Sequence, residues 1–420
     1  MVSHTHRRRI IAWALYDWAN STFATTVMAG FFPVFFKQYW AAGMAVTESS
    51  FQLGLVNSVA SIVMVVLAPL LGAIGDRSGS KKRFLLFFAM MGVVMTGGLF
   101  MVAAGHWVLA LMLYAFALLG FTGGNIFYDA LLVEVARERE LDRVSALGYA
   151  LGYAGGGLLF AFDILLTLHP RTFGLENAAE AVRYAFLSVA VWWAVFTLPL
   201  MIFVHAQTSG DMPLLQAVRG GIRQLAATFH KVRRLRMVGL FLAAYWLYID
   251  GVDTVVRMAV DYGLSLGFEA NALMIALLIT QFVGFPAALL FGRIGERRGP
   301  KQGIMLAIFI YFLVILWAYR MDESWEFYAL AVAVGLVQGG IQALSRSFYA
   351  RLIPTGEAGE FFGFYNMLGK FAAVIGPVMM GWVGVVTGDS RYGILSIALL
   401  FVAGGVLLGR VHAPAGRRAV

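Results

Sequence analysis

Apolar residues gather in this chain into windows of about 20, the length a helix needs to cross the hydrocarbon core of a bilayer. Read in windows of that size, the sequence predicts twelve spans, at roughly 10–36, 51–74, 84–105, 107–133, 145–168, 183–205, 237–261, 270–292, 302–320, 325–350, 361–387 and 391–411. A soluble domain cannot hide that much apolar length. Of 420 residues, 60% are hydrophobic and 13% charged, and surface-to-volume scaling leaves too little interior for them. The expected fold class is an all-α membrane protein with twelve transmembrane helices, and the lipid bilayer is its first partner.

The formal net charge is +9, but the basic residues sit in short loops between apolar spans. There they set orientation, and no nucleic-acid partner is expected. An even number of spans puts both termini on one side. That side carries the Lys and Arg clusters at 7–9, 77–83, 137–143, 219–236, 293–301, 351 and 410–418. The opposite loops hold only Lys37, Arg171, Arg183, Arg320 and Arg391. The asymmetry predicts cytoplasmic termini. With no cysteine, thiolate and disulfide chemistry is excluded. The histidines fall at termini, loops and span edges, so neither a metal site nor a cofactor is expected. The run after HTHRRRI is too long for a signal peptide and is read as a retained first helix.

The longest polar connection, 206–236, divides the spans six and six and reads as a basic, weakly amphipathic surface helix. The expected domains are an N-terminal six-helix bundle (1–205), a cytoplasmic basic linker (206–236) and a C-terminal six-helix bundle (237–420). The halves repeat. GAIGDRSGSKKRF (72–84) aligns with GRIGERRGPKQGI (292–304), ALYD (14–17) with LYID (247–250), and Gly123-Gly124 with Gly339-Gly340. A parallel repeat of six helices predicts two pseudo-symmetric bundles with a ligand path between them. In the repeated loops, glycines permit tight turns while acids and bases can pair across helix ends in one state and part in another. The expected cytoplasmic gate is Gly72, Asp76, Arg77, Gly79 and Lys81 in the first copy, and Gly292, Glu296, Arg297, Gly299 and Lys301 in the second.

This loop, after span 2 and again after span 8, resembles the signature loop of the major facilitator superfamily. It departs at Ser80, where a basic residue is usual, and at Glu296, where Asp is usual. A narrower resemblance rests on YDWANSTFATTV (16–27), NIFYDALL (125–132), YIDGVDTVVRMA (248–259) and GGIQALSRSFYARLIP (339–354). Together these look like the autophagy-related vacuolar amino-acid effluxers and their bacterial relatives. The resemblance implies a twelve-helix transporter in the major facilitator fold, a bacterial cytoplasmic membrane and an amino-acid cargo.

An ionised side chain at the centre of a spanning helix costs about 2.5–3.5 kcal/mol, so several facing lipid would cost on the order of 10 kcal/mol. Asp17, Asp129, Asp163, Asp250 and Asp253, with Arg257, Arg346 and Lys370, fall inside predicted spans. They must pair, be protonated or face a cavity. Helical spacing gathers them into stripes. Asp17 shares a face with Asn20 in span 1. Asn125 and Asp129 lie together in span 4, and Trp246, Asp250, Asp253 and Arg257 in span 7. Gln338, Gln342 and Arg346 line up in span 10, and Asn366 and Lys370 in span 11. Spans 1, 4, 7 and 10 are those that line the central cavity in the resembled superfamily. These thirteen residues form the expected substrate and coupling-ion site, although Asp253 and Arg257, four apart, could also satisfy only each other. Asp163 reads as reaching headgroups at the outer end of span 5, and Trp13, Trp18, Trp192 and Trp193 as packing or interfacial belt. Gly148, Gly152 and Gly156 in span 5 predict close packing against another helix. The expected activity is alternating-access transport of a small polar solute by a monomer. The cargo is amino acids for export, or a proton-coupled substrate. The alternatives are a transporter-like sensor and a carrier of another metabolite or peptide. No nucleophile–base pair is present to suggest an enzyme.

Overall fold

In lipid every backbone N–H and C=O must be satisfied within its own segment, so an apolar run of 20 or more residues becomes a helix. The computed structural model describes residues 4–44, 46–205, 235–266, 270–354 and 356–412, and among them all regular structure is helical. The 206–236 connection lies almost wholly outside the described residues, as do the side chains of Arg257 and Lys370. The helices are α1 (His4–Thr22), α2 (Val46–Ser78), α3 (Lys81–Gly98), α4 (Trp107–Val135), α5 (Leu141–Leu168) and α6 (Ala178–Phe203). The second half holds α7 (Arg236–Ser265), α8 (Ala270–Arg298), α9 (Pro300–Tyr319), α10 (Ser324–Leu352), α11 (Ala358–Thr387) and α12 (Ser390–Gly409, interrupted at Ile397). Among the described residues ten of these, all but α1 and α11, are long and apolar enough to cross a membrane. α1 and α11 are helical where spans 1 and 11 are expected. α11 adds the apolar stretch Ile375–Thr387.

α1 does not stop at Thr22. It runs on through a π-helical stretch, Phe23–Phe31, a short α-helical turn, Phe32–Phe35, and a second π-helical stretch, Phe36–Trp40. The Phe32 N–H reaches Val27 O, five residues back. Pro33 follows directly, has no N–H and crowds the preceding turn, so a wider turn is the local answer.

Within the first half α1 packs on α5 and α6, and α3 on α4 and α6; within the second, α7 packs on α11 and α12, and α8 and α9 on α10. Between the halves α5 meets α8 and α10, and α2 and α4 meet α11. The glycine stripe of α5 receives α1. A Cβ on Gly152 would lie 2.6 Å from Ser21 Oγ, and one on Gly156 2.7 Å from Thr25 Oγ1. Gly79 and Gly299 close the α2–α3 and α8–α9 turns with φ of +61° and +90°, a region that strains any residue with a side chain.

Loops at one end of the molecule tie together. His6 bonds Glu140 at 2.8 Å, Arg9 donates to the Glu134 and His205 carbonyls, and Lys82 donates to Val204 O. Lys301 donates to Gly409 O and Val411 O. The N-terminus, the α2–α3, α4–α5 and α8–α9 loops and the end of α12 therefore share one face, called the terminal side below. Asp163 does not reach outward to headgroups: it is fully buried inside the protein, and Ser188 of α6 donates to it at 3.0 Å. Trp13 and Trp193 are likewise fully buried, so they belong to the packing and not to an interfacial belt.

Candidate functional site

Arg346 sits six residues from the terminal-side end of α10 and is 2% exposed. A guanidinium cannot shed its charge, so burial must be answered by acceptors. All of those in evidence come from the other half of the molecule. Nη1 donates to Asp129 Oδ1 on α4 at 3.0 Å. Nε donates to Ser145 Oγ and Nη2 to Ser145 O on α5, both at 2.9 Å. Asp17 Oδ2 on α1 lies 3.8 Å from Nη1. Aromatic rings enclose the cation: its carbon is 4.4 Å from the Tyr149 centroid, 5.0 Å from Trp13 and 5.3 Å from Tyr128. Desolvated cation–π contacts of this kind add about 2 kcal/mol. Tyr128 also donates to Asp17 Oδ2 at 3.2 Å, and Ser145 Oγ donates to Ala343 O.

One guanidinium therefore faces two carboxylates. If both are ionised the cluster carries a surplus negative charge inside a low-dielectric interior, a place for a proton or a cation.

A cavity of about 330 Å³ begins at this cluster and extends away from the terminal side to Thr25 and Gln281. Of the thirteen residues expected at the site, Asp17, Asn20, Asn125, Asp129, Asp253, Gln338, Gln342, Arg346 and Asn366 line it. Asn20 donates to Asn125 Oδ1 at 2.6 Å, and Asn366 donates to Asp129 Oδ2 at 3.0 Å. Trp246 and Asp250 are not in the lining, and the Trp246 N–H is buried without a partner among the described residues. Arg257 and Lys370 fall outside the described side chains. The hydrophobic pattern of α5 hid four participants. Asp142, Ser145, Tyr149 and Tyr153 are spaced i, i+3, i+7 and i+11, a single stripe, and that spacing is the signal that would have found them.

Asp250 aligns with Asp17 in the repeat but does different work. It is buried on α7, and its Oδ1 accepts the Gly376 N–H of α11 at 3.0 Å, immediately before Pro377. Proline opens the helical ladder, and a neighbouring carboxylate takes up an N–H there. Asp250→Asn keeps an acceptor and is expected to leave thermal stability in detergent and transport nearly unchanged. Asp250→Leu strands the N–H and is expected to cost about 1–3 kcal/mol. Equal melting temperatures for the two variants would remove this assignment.

Beyond the cluster the bundles are pressed together on the terminal side. Asp76 accepts the Gly359 and Glu360 N–H groups at the start of α11, at 3.0 and 2.8 Å, where the helix dipole favours an anion. Lys81 bridges Asp76 and Glu134, each at 2.8 Å. Asp142 accepts from Ser347 and Arg351, both at 2.6 Å. Gly72 lies against Gly359 so closely that a Cβ would overlap its carbonyl. The second loop is built differently. Gly292 packs on Ala146 of α5 and Lys301 binds the end of α12, whereas Glu296 and Arg297 are exposed and Glu296 takes no part in the ion pairs described. Arg77 makes a contact of its own in the first loop. On the far side of the cavity Gln281 donates to Thr25 Oγ1 across the bundles, at 3.4 Å.

The vacuole effluxer Atg22-like family matches residues 39–420 of the chain. An "uncharacterized MFS-type transporter YxiO" of Bacillus subtilis is 38% identical over 402 residues, covering 95% of this chain and 94% of that protein. Autophagy-related protein 22-1 of Aspergillus niger is 29% identical over 291 residues, 63% of this chain and 45% of the fungal protein, so the chain spans about half the length of such fungal relatives. Among solved structures, the human organic anion transporter MFSD10 superposes with a TM-score of 0.73 at 15% identity, over 96% of this chain and 99% of that one. The proton:xylose symporter XylE superposes at 0.68 and 12%, over 97% and 94%. At such identities the superpositions speak for the fold alone.

Proposed function

We infer how the chain works from one premise: it belongs to the Atg22-like family of major facilitator transporters. It is an integral membrane protein, and its class is secondary transport of small solutes. Within that class we propose alternating access coupled to protons, with Asp17, Asp129 and Arg346 as the coupling unit. The observation that carries this is the position of Arg346. It leaves its own bundle and is held by groups of the other, so the charge balance of the cluster and the closure of the terminal side are one event.

The Lys and Arg distribution supports cytoplasmic termini, in which case the described conformation is closed to the cytoplasm. A proton reaching Asp17 or Asp129 through the cavity weakens the hold on Arg346. Asp17 also faces the Tyr128 and Ser21 hydroxyls, and Asp129 faces Asn366. With that hold weakened, the contacts at Asp76 and Asp142 can part and the bundles rock about the cavity. A small polar solute rides in the cavity. Amino acids are the cargo that family resemblance suggests. An ammonium suits Asp17, but the carboxylate would have to compete with Asp129 and Asp17 for Arg346.

The test uses reconstituted protein and a solute that it exchanges. Asp129→Asn and Asp17→Asn are expected to keep counterflow while losing accumulation driven by a pH gradient. Accumulation as steep as in the parent protein, at equal reconstitution, would sink proton coupling at these acids.

A further inference from the structure

We propose that the cargo is a neutral, polyhydroxylated solute of about monosaccharide size, recognised by carboxamides from both bundles; this rests on the transport reading above.

Six carboxamides line the cavity: Asn20, Asn125, Gln281, Gln338, Gln342 and Asn366. They come from α1, α4, α8, α10 and α11, so both halves contribute. A carboxamide carries two donors and an acceptor with two lone pairs, and a hydroxyl is likewise donor and acceptor. A ring bearing several hydroxyls can therefore bond both walls at once without bringing a charge. Much of this capacity is unspent. The Asn20–Asn125 bond uses one N–H and one oxygen of the pair. Among the described residues Gln338 Oε1 is buried without a hydrogen-bond partner, which costs free energy until a donor arrives. Gln342 lies one turn further along α10, on the same face.

Among the described residues the cation that lines the cavity, Arg346, is held by protein groups. Three Arg346 nitrogens donate to Asp129 and Ser145, and three aromatic rings surround the guanidinium. Asp17 and Asp129 beside the guanidinium already balance its charge, so a substrate carboxylate would have to displace them. Tyr245 and Tyr365, stacked at 4.2 Å, supply an aromatic wall for the C–H face of a ring. About 330 Å³ is at the small end of ligand cavities, which suits a pentose, hexose or cyclitol and not a disaccharide or a peptide.

Equilibrium counterflow in proteoliposomes decides the matter, with labelled D-xylose, D-glucose and myo-inositol run beside leucine, tyrosine and lysine. Saturable counterflow of at least one neutral solute is expected, with KM raised roughly tenfold in Gln342→Leu. Gln338→Leu serves as a second variant, and thermal melts show that each is folded. Counterflow of an amino acid with none of the neutral solutes overturns the proposal and leaves transport standing. Neutral-solute counterflow with KM unchanged in both folded variants overturns the recognition by carboxamides. No counterflow of any label by folded protein overturns this proposal and the amino-acid cargo alike. Loss of proton-driven accumulation in Asp129→Asn reads the coupling unit separately.

Discussion

Arg346→Leu is expected to abolish transport and to lower stability by about 3–5 kcal/mol. The mutation removes the one cation that the described structure places beside Asp17 and Asp129. The loss exceeds what any surface ion pair could give, because removing one partner of a buried pair leaves an uncompensated charge in a low-dielectric interior. Arg346→Lys separates charge from shape. A lysine restores the charge but not the planar fork that reaches Asp129 and Ser145 together, so recovery is expected to be partial in stability and small in transport. Melting temperature in detergent and counterflow in liposomes measure the two effects. A stable, active Arg346→Leu protein would end the case for this cluster as the coupling unit. The triple variant with Asp17→Asn and Asp129→Asn is expected to regain much of the stability and none of the proton-driven accumulation.

The second large effect is expected at a glycine. Gly72 of α2 meets the Gly359 carbonyl of α11, and any Cβ there overlaps backbone that has nowhere to move while the bundles stay together. Gly72→Val is therefore expected to drive the population away from the described state toward one open on the terminal side. A shift of a few kcal/mol suffices to invert such an equilibrium. The chain has no cysteine, so a single Ala146→Cys reporter is unambiguous. Ala146 is fully buried where α5 meets Gly292 of α8. Thiol labelling of that cysteine is expected to be slow in the parent background and at least tenfold faster with Gly72→Val. Equal rates would mean that the α2–α11 contact does not hold the terminal side shut.

These two sites show how differently sequence and structure bear on the protein. Arg346 was recognisable as costly, since a charged residue inside an apolar span demands an explanation from local sequence alone. Its partners were not. Asp17, Asp129 and Ser145 are 200 or more positions away or on other helices, and nothing in a one-dimensional pattern says which acid meets which base. The repeat made the point more sharply. Asp17 and Asp250 occupy matched positions and read as the same device. Yet one faces a cavity and a guanidinium, while the other closes a proline-opened backbone on α11. The loop copies diverge in the same way, with Asp76 seated on a helix N-terminus and Glu296 exposed. Asp163 reads as a residue near the membrane edge by position, but a serine one helix away makes burial tolerable.

The sequence by itself determined the class and the raw material: apolar windows of membrane length, the halving of the chain, and polar stripes at helical spacing. Those are local properties, set by a 1.5 Å rise and the demand that lipid leave no backbone group unpaired. Which stripe faces which, how far the bundles have closed, and which of two matched acids faces a guanidinium were decided only by tertiary structure. The reason is physical. Pairing energies inside a low-dielectric interior depend on separations of a few ångströms between groups far apart in the chain, and only the packed helices set those separations.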